Sequence, residues 1–245
     1  MRTCVLVPHY DHLEQFRVLL PRLVDTGLPL IIIDDASPAP VHDELQILLE
    51  SLAPDFEMRR HEQNMGKGGA VMTGLRTAHE LGYTHAIQID ADGQHDLGEL
   101  HALTRESEHH PSALVCGAPV FDGSISGLRK HGRKVSHILC RLEALSCDIV
   151  DALCGYRCYP LKRIIPVIEN ASIAKRMGFD PEILVRASWA GIKLRYVPVR
   201  VTYPVDGKSH FHYLGDNLEL AWMHTRLLFG GLLRSPLLIM RRLRS

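Results

Sequence analysis

Three acidic residues follow an apolar stretch in segment 87–96, which has the sequence IQIDADGQHD. Asp90 and Asp92 are separated by one residue, and Asp96 lies four residues further on. Two carboxylates at this spacing can bind a divalent cation, because Mg²⁺ and Mn²⁺ prefer oxygen ligands and share them with substrate phosphates. A polar turn with Asp96 as a helix N-cap is the plainer interpretation. The pattern therefore raises the hypothesis of metal-assisted phosphate chemistry.

A glycine-rich segment, NMGKGGA at 64–70, places Lys67 between glycines immediately before an amphipathic stretch. Backbone N–H groups at a helix start favour anions, and the lysine adds a positive charge. The segment is neither a Walker loop nor a G-x-G-x-x-G motif. It indicates a phosphate-contacting turn, with a flexible helix N-terminus as the alternative.

Two earlier segments carry residues suited to a nucleoside. In VPHYDH, Pro8 fixes the exit from an apolar run and Tyr10 offers a ring on which a base could stack. In IIIDDASP, Asp34 and Asp35 could accept hydrogen bonds from a base N–H and a ribose hydroxyl. The alternatives are a packed loop aromatic for Tyr10 and a turn or cap role for Asp35 or Ser37.

Short apolar runs alternate with amphipathic stretches through the first half of the chain. This alternation predicts an α/β domain with a mostly parallel central sheet flanked by helices. Ligands of such sheets bind outside the carboxyl ends of the strands. We therefore expect the acidic pairs at 34–35 and 90–92 to face one crevice.

Composition limits the class of protein. The chain has 245 residues, with 28 Lys+Arg against 28 Asp+Glu, so it lacks the bulk positive charge of a nucleic-acid-binding protein. Its six cysteines form no C-x-x-C pair, so their spacing does not indicate a zinc site. The N-terminal apolar run is too short for a signal peptide, and no apolar run reaches about 18 residues. These features predict a reduced, cytosolic chain with no membrane-spanning helix.

The four segments PHYD, DDAS, GKGGA and DADGQH, in this order, resemble the motifs of the family-2 glycosyltransferases, which have the GT-A fold. The combination of GKGGA with DADGQH is most similar to the polyprenyl-phosphate and dolichyl-phosphate sugar synthases. Looser similarity continues through CGYRCYP at 154–160 and MGFDPEILVRASWAG at 177–191. Asp11 stands where this family usually has Asn, and His12 where the synthases often have Glu.

This resemblance implies a role for each matched residue. Asp92 would ligate a Mg²⁺ or Mn²⁺ ion, with Asp90 and Gln94 beside it, and Lys67 and Asp90 would contact the ribose–phosphate region. The nucleoside would be held by Pro8, Tyr10, Asp11 and Asp35.

Members of this type invert the anomeric centre in one displacement. A hydroxyl acceptor would need a general base within hydrogen-bond reach, whereas a phosphate acceptor is already ionised. Asp180 and Glu182 are the candidate bases, and Asp180 fits the family position better. The expected catalytic residues are therefore Asp180, Asp92 and Lys67, with a helix cap before Pro181 as the alternative role for Asp180.

Basic segments could bind the donor or the acceptor. Arg129 and Arg133 share one helix face and could bind an acceptor phosphate or anionic headgroups, although a solvated basic helix has the same pattern. By resemblance, Lys208 and Ser209 belong to a loop that closes over the donor phosphates. Two loop histidines, His210 and His212, are alternative metal ligands.

The last part of the chain, 213–245, combines arginines with short apolar clusters. This composition predicts a basic amphipathic helix, separate from a catalytic domain at 1–212, that lies on an anionic membrane surface. A packed terminal helix or an oligomer contact is the alternative. The expected location is peripheral, on the inner face of the cytoplasmic membrane.

These observations favour a metal-dependent inverting glycosyltransferase that moves a sugar from a UDP- or GDP-sugar to a lipid-linked acceptor, with polyprenyl phosphate preferred. Transfer to a hydroxyl of another lipid or glycan, with Asp180 as base, and a non-catalytic nucleotide-sugar-binding module remain alternatives. A nucleotidyltransferase would need a glycine-rich signature after the first strand, and VPHYDHLEQF has no glycine. A dehydrogenase would need G-x-G-x-x-G.

Overall fold

The computed structural model describes residues 1–121, 127–201 and 213–243, of which 127–130, 213, 214, 216, 242 and 243 are described by their backbone alone. Seven strands form one sheet in the order β3-β2-β1-β4-β6-β5-β7. The strands are β1 Thr3–His9, β2 Leu30–Asp34, β3 Phe56–Arg60, β4 His85–Gln88, β5 Leu114–Phe121, β6 Arg157–Pro160 and β7 Leu194–Val201. The helices are α1 Leu13–Val24, α2 Ala39–Leu52, α3 Lys67–Glu80, α4 Leu100–His109, α5 Gly127–Glu143, α6 Leu161–Glu169, α7 Phe179–Trp189 and α8 Tyr213–Leu243, with a 3₁₀ turn at Leu97–Glu99.

The sheet is parallel except for one strand. β1 pairs in parallel with β2 and β4, β2 with β3, and β5 with β7. β6 runs antiparallel between β4 and β5, with Arg157 opposite Gln88. The start of β6 therefore lies at the same edge as the carboxyl end of β4, and this edge is the one that binds ligands in open α/β sheets.

Both faces of the sheet are covered, which explains why the inner strands are apolar along their whole length. Leu6 and Ile31 belong to one buried cluster, and their chain neighbours Val5 and Ile32 belong to the cluster on the opposite face. Helix α3 packs directly on β1, because Gly74 lies against the Leu6 side chain where any Cβ would overlap it.

The α/β prediction is confirmed, with three differences at the ends of elements. β4 ends at Gln88, two residues before Asp90, so both acids of the D-x-D pair lie in a loop. A 3₁₀ turn precedes α4. The sequence analysis did not predict the antiparallel strand β6. All four of its residues are buried, so they lack the alternation of apolar and polar side chains that distinguishes a strand from one turn of a buried helix.

Helix α8 packs against α5 and α7 through Met223 and Leu227, which are buried. Its opposite face carries exposed apolar side chains, including Trp222, Phe229 and Leu233. In the ranges that the structure describes, we find no helix with both the length and the apolar character needed to cross a bilayer. The division into domains at 212/213 stays a prediction, and residues 202–212 lie outside the described ranges.

Candidate active site

Lys67 lies at the centre of a polar cluster at the carboxyl edge of the sheet. Its Nζ atom donates to Asp90 Oδ2 at 2.8 Å and to Asp180 Oδ2 at 2.9 Å. Lys67 is the first residue of α3, Asp90 follows β4, and Asp180 lies in the first turn of α7. One ammonium group therefore joins three elements that are far apart in sequence. Gly155 closes the cluster, since a Cβ there would approach Lys67 Nζ to 2.6 Å.

Three buried residues, Gln88, Tyr159 and Arg157, extend this cluster under the loop. Gln88 Nε2 donates to Asp90 Oδ1 at 3.2 Å, and the Tyr159 hydroxyl donates to Gln88 Oε1 at 2.9 Å. Arg157 is fully buried; its Nη1 donates to the Asp180 carbonyl at 2.9 Å and lies 3.6 Å from Asp180 Oδ1. Negative and positive charges thus alternate from Asp90 through Lys67 and Asp180 to Arg157, although Asp180 Oδ1 and Arg157 Nε are buried without a hydrogen-bond partner.

The charges at Lys67 and Asp90 are mutually stabilised. Burial opposes ionisation of Asp90, but Lys67 and then His95, whose Nε2 lies 3.5 Å from Asp90 Oδ2, outweigh it and hold the pKa of Asp90 well below its usual range. Burial likewise opposes the charge on Lys67, and Asp180 and Asp90 outweigh it and raise the pKa of Lys67. Lys67 and Asp90 are therefore both charged throughout the neutral pH range.

Asp92 has a different environment. Its Oδ1 accepts a hydrogen bond from the Gln94 backbone N–H at 3.0 Å. Burial, and then the charge of Asp90, raise the pKa of Asp92. A divalent cation would relieve both effects, so Asp90 and Asp92 fit a metal that brings further oxygen ligands with a bound phosphate. Asp96 instead caps the 3₁₀ turn by accepting from Gly98 N at 3.0 Å, as its residue type suggested.

The Asp35 carboxylate has hydrogen-bond partners within the chain for both of its oxygens. Its Oδ1 accepts from Met65 N at 2.8 Å and pairs with His61 Nδ1 at 2.7 Å, while Oδ2 accepts from Gly66 N at 2.7 Å. The carboxylate thus fixes the loop that leads into α3 and Lys67. A nucleoside contact by Asp35 stays a prediction.

Asp34 is fully buried and is also paired internally. Burial opposes its ionisation, but interactions with His9, Ser37 and His42 outweigh it and hold its pKa well below the usual range. His42 Nδ1 lies 2.8 Å from Asp34 Oδ2, and Ser37 N donates to Oδ1 at 3.1 Å. Asp34 therefore stabilises the turn after β2, a role that the sequence analysis considered for its neighbours Asp35 and Ser37 and not for Asp34.

The glycines before and within α3 allow close backbone packing. Gly68 lies against Phe179, and Gly69 N donates to the Lys175 carbonyl at 2.9 Å. Gly66 has φ +84°, a conformation that suits glycine. Because the Gly66 and Gly69 amides already have partners within the chain, the loop is less open to anions than the sequence alone indicated.

The turn after β1 is joined to the turn after β2. Asp11 has φ +52°, and its backbone N–H donates to Ser37 Oγ at 3.1 Å. Asn and Asp are the non-glycine residues that adopt positive φ most readily. Asp11 can therefore take the backbone conformation of this turn, where the family usually has Asn. Pro8 and Tyr10 are half-buried beside this turn.

The two candidate bases differ in their surroundings. Asp180 is inside α7, whose N-cap position is Gly178, so the cap interpretation of Asp180 is wrong. Glu182 is fully buried and pairs with Arg186 at 2.6 Å and with Arg226 of α8 at 2.8 Å. Glu182 therefore holds helices together, and Asp180 alone of the two contacts the Lys67 cluster.

Arg133 contacts an acid of its own chain. Its Nη2 lies 2.6 Å from Asp151 Oδ2, and its guanidinium lies over the Phe121 ring. The side chain of Arg129 and the residues Lys208, Ser209, His210 and His212 lie outside the described part of the chain. The sequence analysis missed Gln88 and His95, and it quoted Arg157 without a role. The polar Gln88 between the apolar residues Ile87 and Ile89 was the available signal.

The sheet order, the acidic loop after β4 and the lysine at the start of α3 define a protein of the GT-A class. The chain belongs to glycosyl transferase family 2, whose model matches residues 4–164. It is therefore a glycosyltransferase.

Relatives with named activities share about a quarter of its residues. An undecaprenyl-phosphate mannosyltransferase of Micrococcus luteus is 26% identical over 81% of this chain and 83% of its own length. A polyprenol monophosphomannose synthase of Mycolicibacterium smegmatis is 26% identical over 90% of this chain and 84% of its own. A dolichyl-phosphate beta-glucosyltransferase of Dictyostelium discoideum is 26% identical over 94% and 74%.

Solved structures share the fold at lower identity. TarS of S. aureus (residues 1–349, in complex with UDP-GlcNAc) superposes with a TM-score of 0.65 at 14% identity, covering 93% of this chain and 66% of that one. Glucosyl-3-phosphoglycerate synthase from Mycobacterium tuberculosis, in complex with Mn²⁺, UDP and glucosyl-3-phosphoglycerate, gives 0.60 at 15% identity, covering 94% and 78%.

Proposed function

We propose that the chain transfers a sugar from a nucleotide-sugar to a polyprenyl phosphate and that a divalent cation assists the departure of the nucleoside diphosphate. The observation that carries this proposal is the contrast within the D-x-D loop. Asp90 is paired with Lys67, whereas Asp92 is a half-buried carboxylate beside the negative charge of Asp90. Such a carboxylate is suited to a cation that arrives with a diphosphate. The mycobacterial neighbour that shares the fold was crystallised with both Mn²⁺ and UDP.

A phosphate acceptor fits the surroundings of Asp180 better than a hydroxyl acceptor does. A general base must be able to take a proton, and Asp180 is held by Lys67 at 2.9 Å and faces the buried Arg157. Both carboxylate oxygens of Asp180 therefore face cationic groups of the chain itself. Asp180 would then position Lys67, and a phosphate acceptor needs no base. Two of the relatives named above, from M. luteus and D. discoideum, are named for transfer to undecaprenyl phosphate and dolichyl phosphate.

In this mechanism each polar residue has a limited task. Asp92, with Asp90 beside it, would hold a Mg²⁺ or Mn²⁺ ion, which supplies charge neutralisation for the leaving diphosphate. Lys67 presents a fixed positive charge to the ribose–phosphate region and is held in place by Asp90 and Asp180. Pro8, Tyr10 and the turn at Asp11 border the side on which a nucleoside would lie.

The test is transfer measured by mass spectrometry of the lipid product, with UDP- and GDP-sugars as donors and either polyprenyl phosphate or the matching polyprenol as acceptor. We expect a sugar-phosphate lipid from the phosphate acceptor, none from the alcohol, and loss of turnover in EDTA. Asp92→Asn should lower kcat/KM by at least about 100-fold. Asp96→Asn is the matched control, because asparagine also caps helices and this loop acid should leave turnover close to wild type.

Transfer to the alcohol that is abolished by Asp180→Asn would favour the hydroxyl alternative. Donor binding without turnover on either acceptor would favour a binding module.

The proposal includes peripheral association with an anionic membrane surface through the outer face of α8. Large apolar side chains there are well exposed, with Leu218 at 72%, Phe229 at 65% and Leu233 at 83%. Spacings of four and seven residues place Leu218, Trp222, Phe229 and Leu233 on one stripe. Exposed apolar stripes of this size are typical of interaction surfaces. A lipid-linked acceptor requires such a surface close to the enzyme.

Leu233→Asp should weaken binding to vesicles containing anionic lipid by about tenfold or more, because burying one leucine contributes roughly 1.5–3 kcal/mol. The control is Val18→Asp on α1, which replaces another strongly exposed apolar residue (72%, against 83% for Leu233) outside this stripe. Equal vesicle binding by both variants and the wild type would contradict the membrane assignment. A change in oligomeric state in Leu233→Asp alone would instead identify the stripe as a contact between copies.

A further inference from the structure

A second cluster of polar side chains lies remote from the Lys67 cluster, in the interface between α5 and α8. Cys140 and Glu143 lie one turn apart on α5, and His224 approaches from α8. All three are buried, with exposed fractions of 0%, 1% and 9%. One ligand atom from each lies within 4.8 Å of those of the other two. Within the described ranges, this is the one such group of three Cys, His, Asp or Glu residues.

The internal pairing of this cluster is incomplete. His224 Nδ1 lies 2.7 Å from Glu143 Oε1, but Glu143 Oε2 is buried with no hydrogen-bond partner. A buried carboxylate oxygen without a partner is costly, so it calls for an explanation such as a bound ion. The Cys140 thiol is also affected, because burial and then the charge of Glu143 raise its pKa. As the chain stands, the three groups do not satisfy one another.

We propose that Cys140, Glu143 and His224 bind a zinc ion that joins α8 to α5. Thiolate sulfur, imidazole nitrogen and carboxylate oxygen are the ligands of Zn²⁺, and two negative ligands with one neutral imidazole leave the buried complex uncharged. Glu143 Oε2 would gain its missing partner. Ligand spacing along the chain does not indicate this site, because His224 lies 81 residues from Glu143.

The geometry requires only small movements. Zinc–ligand distances of about 2.0–2.3 Å in a tetrahedron place ligand atoms about 3.3–3.8 Å apart. The His224–Glu143 pair must therefore open from 2.7 Å, and the more distant atoms must close from at most 4.8 Å. On binding, the thiol proton of Cys140 and any proton shared by His224 and Glu143 leave to solvent. With three protein ligands, the fourth position is left to water, which reaches the site beside the partly exposed His224 ring.

The test uses the full chain, purified without chelators. We expect about one bound zinc per chain by elemental analysis, and we expect Co²⁺ to produce thiolate-to-metal absorption in the near ultraviolet. Cys140→Ala should abolish that absorption. Cys158→Ala, which removes another fully buried thiol in β6, should retain it. The experiment is repeated in the Asp92→Asn background, so that a cation in the D-x-D loop does not contribute.

Glu143→Gln preserves side-chain shape, and His224→Gln replaces the imidazole with a neutral polar side chain; each should weaken Co²⁺ affinity by more than about tenfold. If Cys140→Ala fails to fold, zinc should still raise the thermal midpoint of the wild type, and this rise should be absent in Glu143→Gln. The proposal would be overturned if thiolate absorption persisted in Cys140→Ala. It would also be overturned if the wild type showed neither thiolate absorption nor a zinc-dependent rise in its thermal midpoint. None of these readouts depends on sugar transfer.

Discussion

The two acidic pairs of the sheet edge look alike in sequence but have different environments in the structure. Asp34 and Asp35 are buried to 0% and 2% exposure and are surrounded by donors of their own chain. Asp90 is paired with Lys67, and Asp92 accepts one backbone hydrogen bond beside that negative charge. The first pair stabilises the loops, whereas the second pair retains an unfavourable charge that a ligand could relieve. By this difference, Asp34 and Asp35 stabilise the loops at the sheet edge, whereas Asp90 and Asp92 are suited to binding a ligand there.

The largest effect on stability should come from removing the Lys67 ammonium group, which is paired with Asp90 of the second pair. Lys67→Met removes the ammonium group that Asp90 and Asp180 share, so the free energy of unfolding should fall by about 3 kcal/mol or more. Adding Asp180→Asn should recover part of this loss, with a coupling energy of at least about 1 kcal/mol from urea denaturation. Lys193→Met, an exposed lysine, is the control and should change stability by less than about 0.5 kcal/mol. Strictly additive effects of Lys67→Met and Asp180→Asn would show that the cluster is not a unit.

Isosteric amide substitutions should act in opposite directions on the two pairs. Asp35→Asn removes the charge that holds the Met65 and Gly66 amides, and it should lower the free energy of unfolding by about 2 kcal/mol. Asp92→Asn removes a desolvated charge next to Asp90, so it should leave stability unchanged or raise it by up to about 1 kcal/mol while turnover is lost. Equal destabilisation by both substitutions would remove the distinction between the pairs.

The sequence allowed much of the edge to be predicted, because alternating apolar runs fix the sheet and parallel strands bring their carboxyl ends together. The sequence could not show which acidic side chains already have hydrogen-bond partners within the chain. The partners of Asp35 are His61 and backbone amides 30 and 31 residues away, and amides carry no sequence signal. The antiparallel β6, which brings Arg157 beside Asp180, depends on tertiary pairing. The pairing of Glu143 with His224 was hidden for the same reason.

Acid should weaken the first pair in a defined pH range. Because the folded-state pKa of Asp34 lies below that of the unfolded chain, its contribution to stability is complete at neutral pH. That contribution is lost as the pH falls through the ordinary aspartate pKa of about 3.9 and below. Between about pH 5 and pH 3, the wild type should therefore lose more unfolding free energy than Asp34→Asn does. Parallel pH curves for the two proteins would contradict the internal pairing of Asp34.

The smallest effect concerns the turn that joins the first pair to β1. Asp11→Asn should leave stability unchanged, because asparagine also adopts positive φ readily. Asp11→Val should cost about 1–2 kcal/mol at φ +52°. The control is Asp25→Val, because Asp25 has φ −60° and should tolerate valine better. A loss of stability in Asp11→Asn equal to that in Asp11→Val would show that the carboxylate, and not the backbone conformation, is required.

Binding of nucleotide to the second pair is the central claim, and calorimetric titration tests it most directly. UDP and GDP are titrated into the wild type, Asp92→Asn and Asp96→Asn, each with Mn²⁺ and with EDTA. We predict that one of the two nucleotides binds to the wild type and Asp96→Asn in Mn²⁺ alone, and that Asp92→Asn loses this binding. Binding that survives both EDTA and Asp92→Asn, or no binding of either nucleotide in Mn²⁺, would contradict the assignment of the Asp90–Asp92 loop as the donor site.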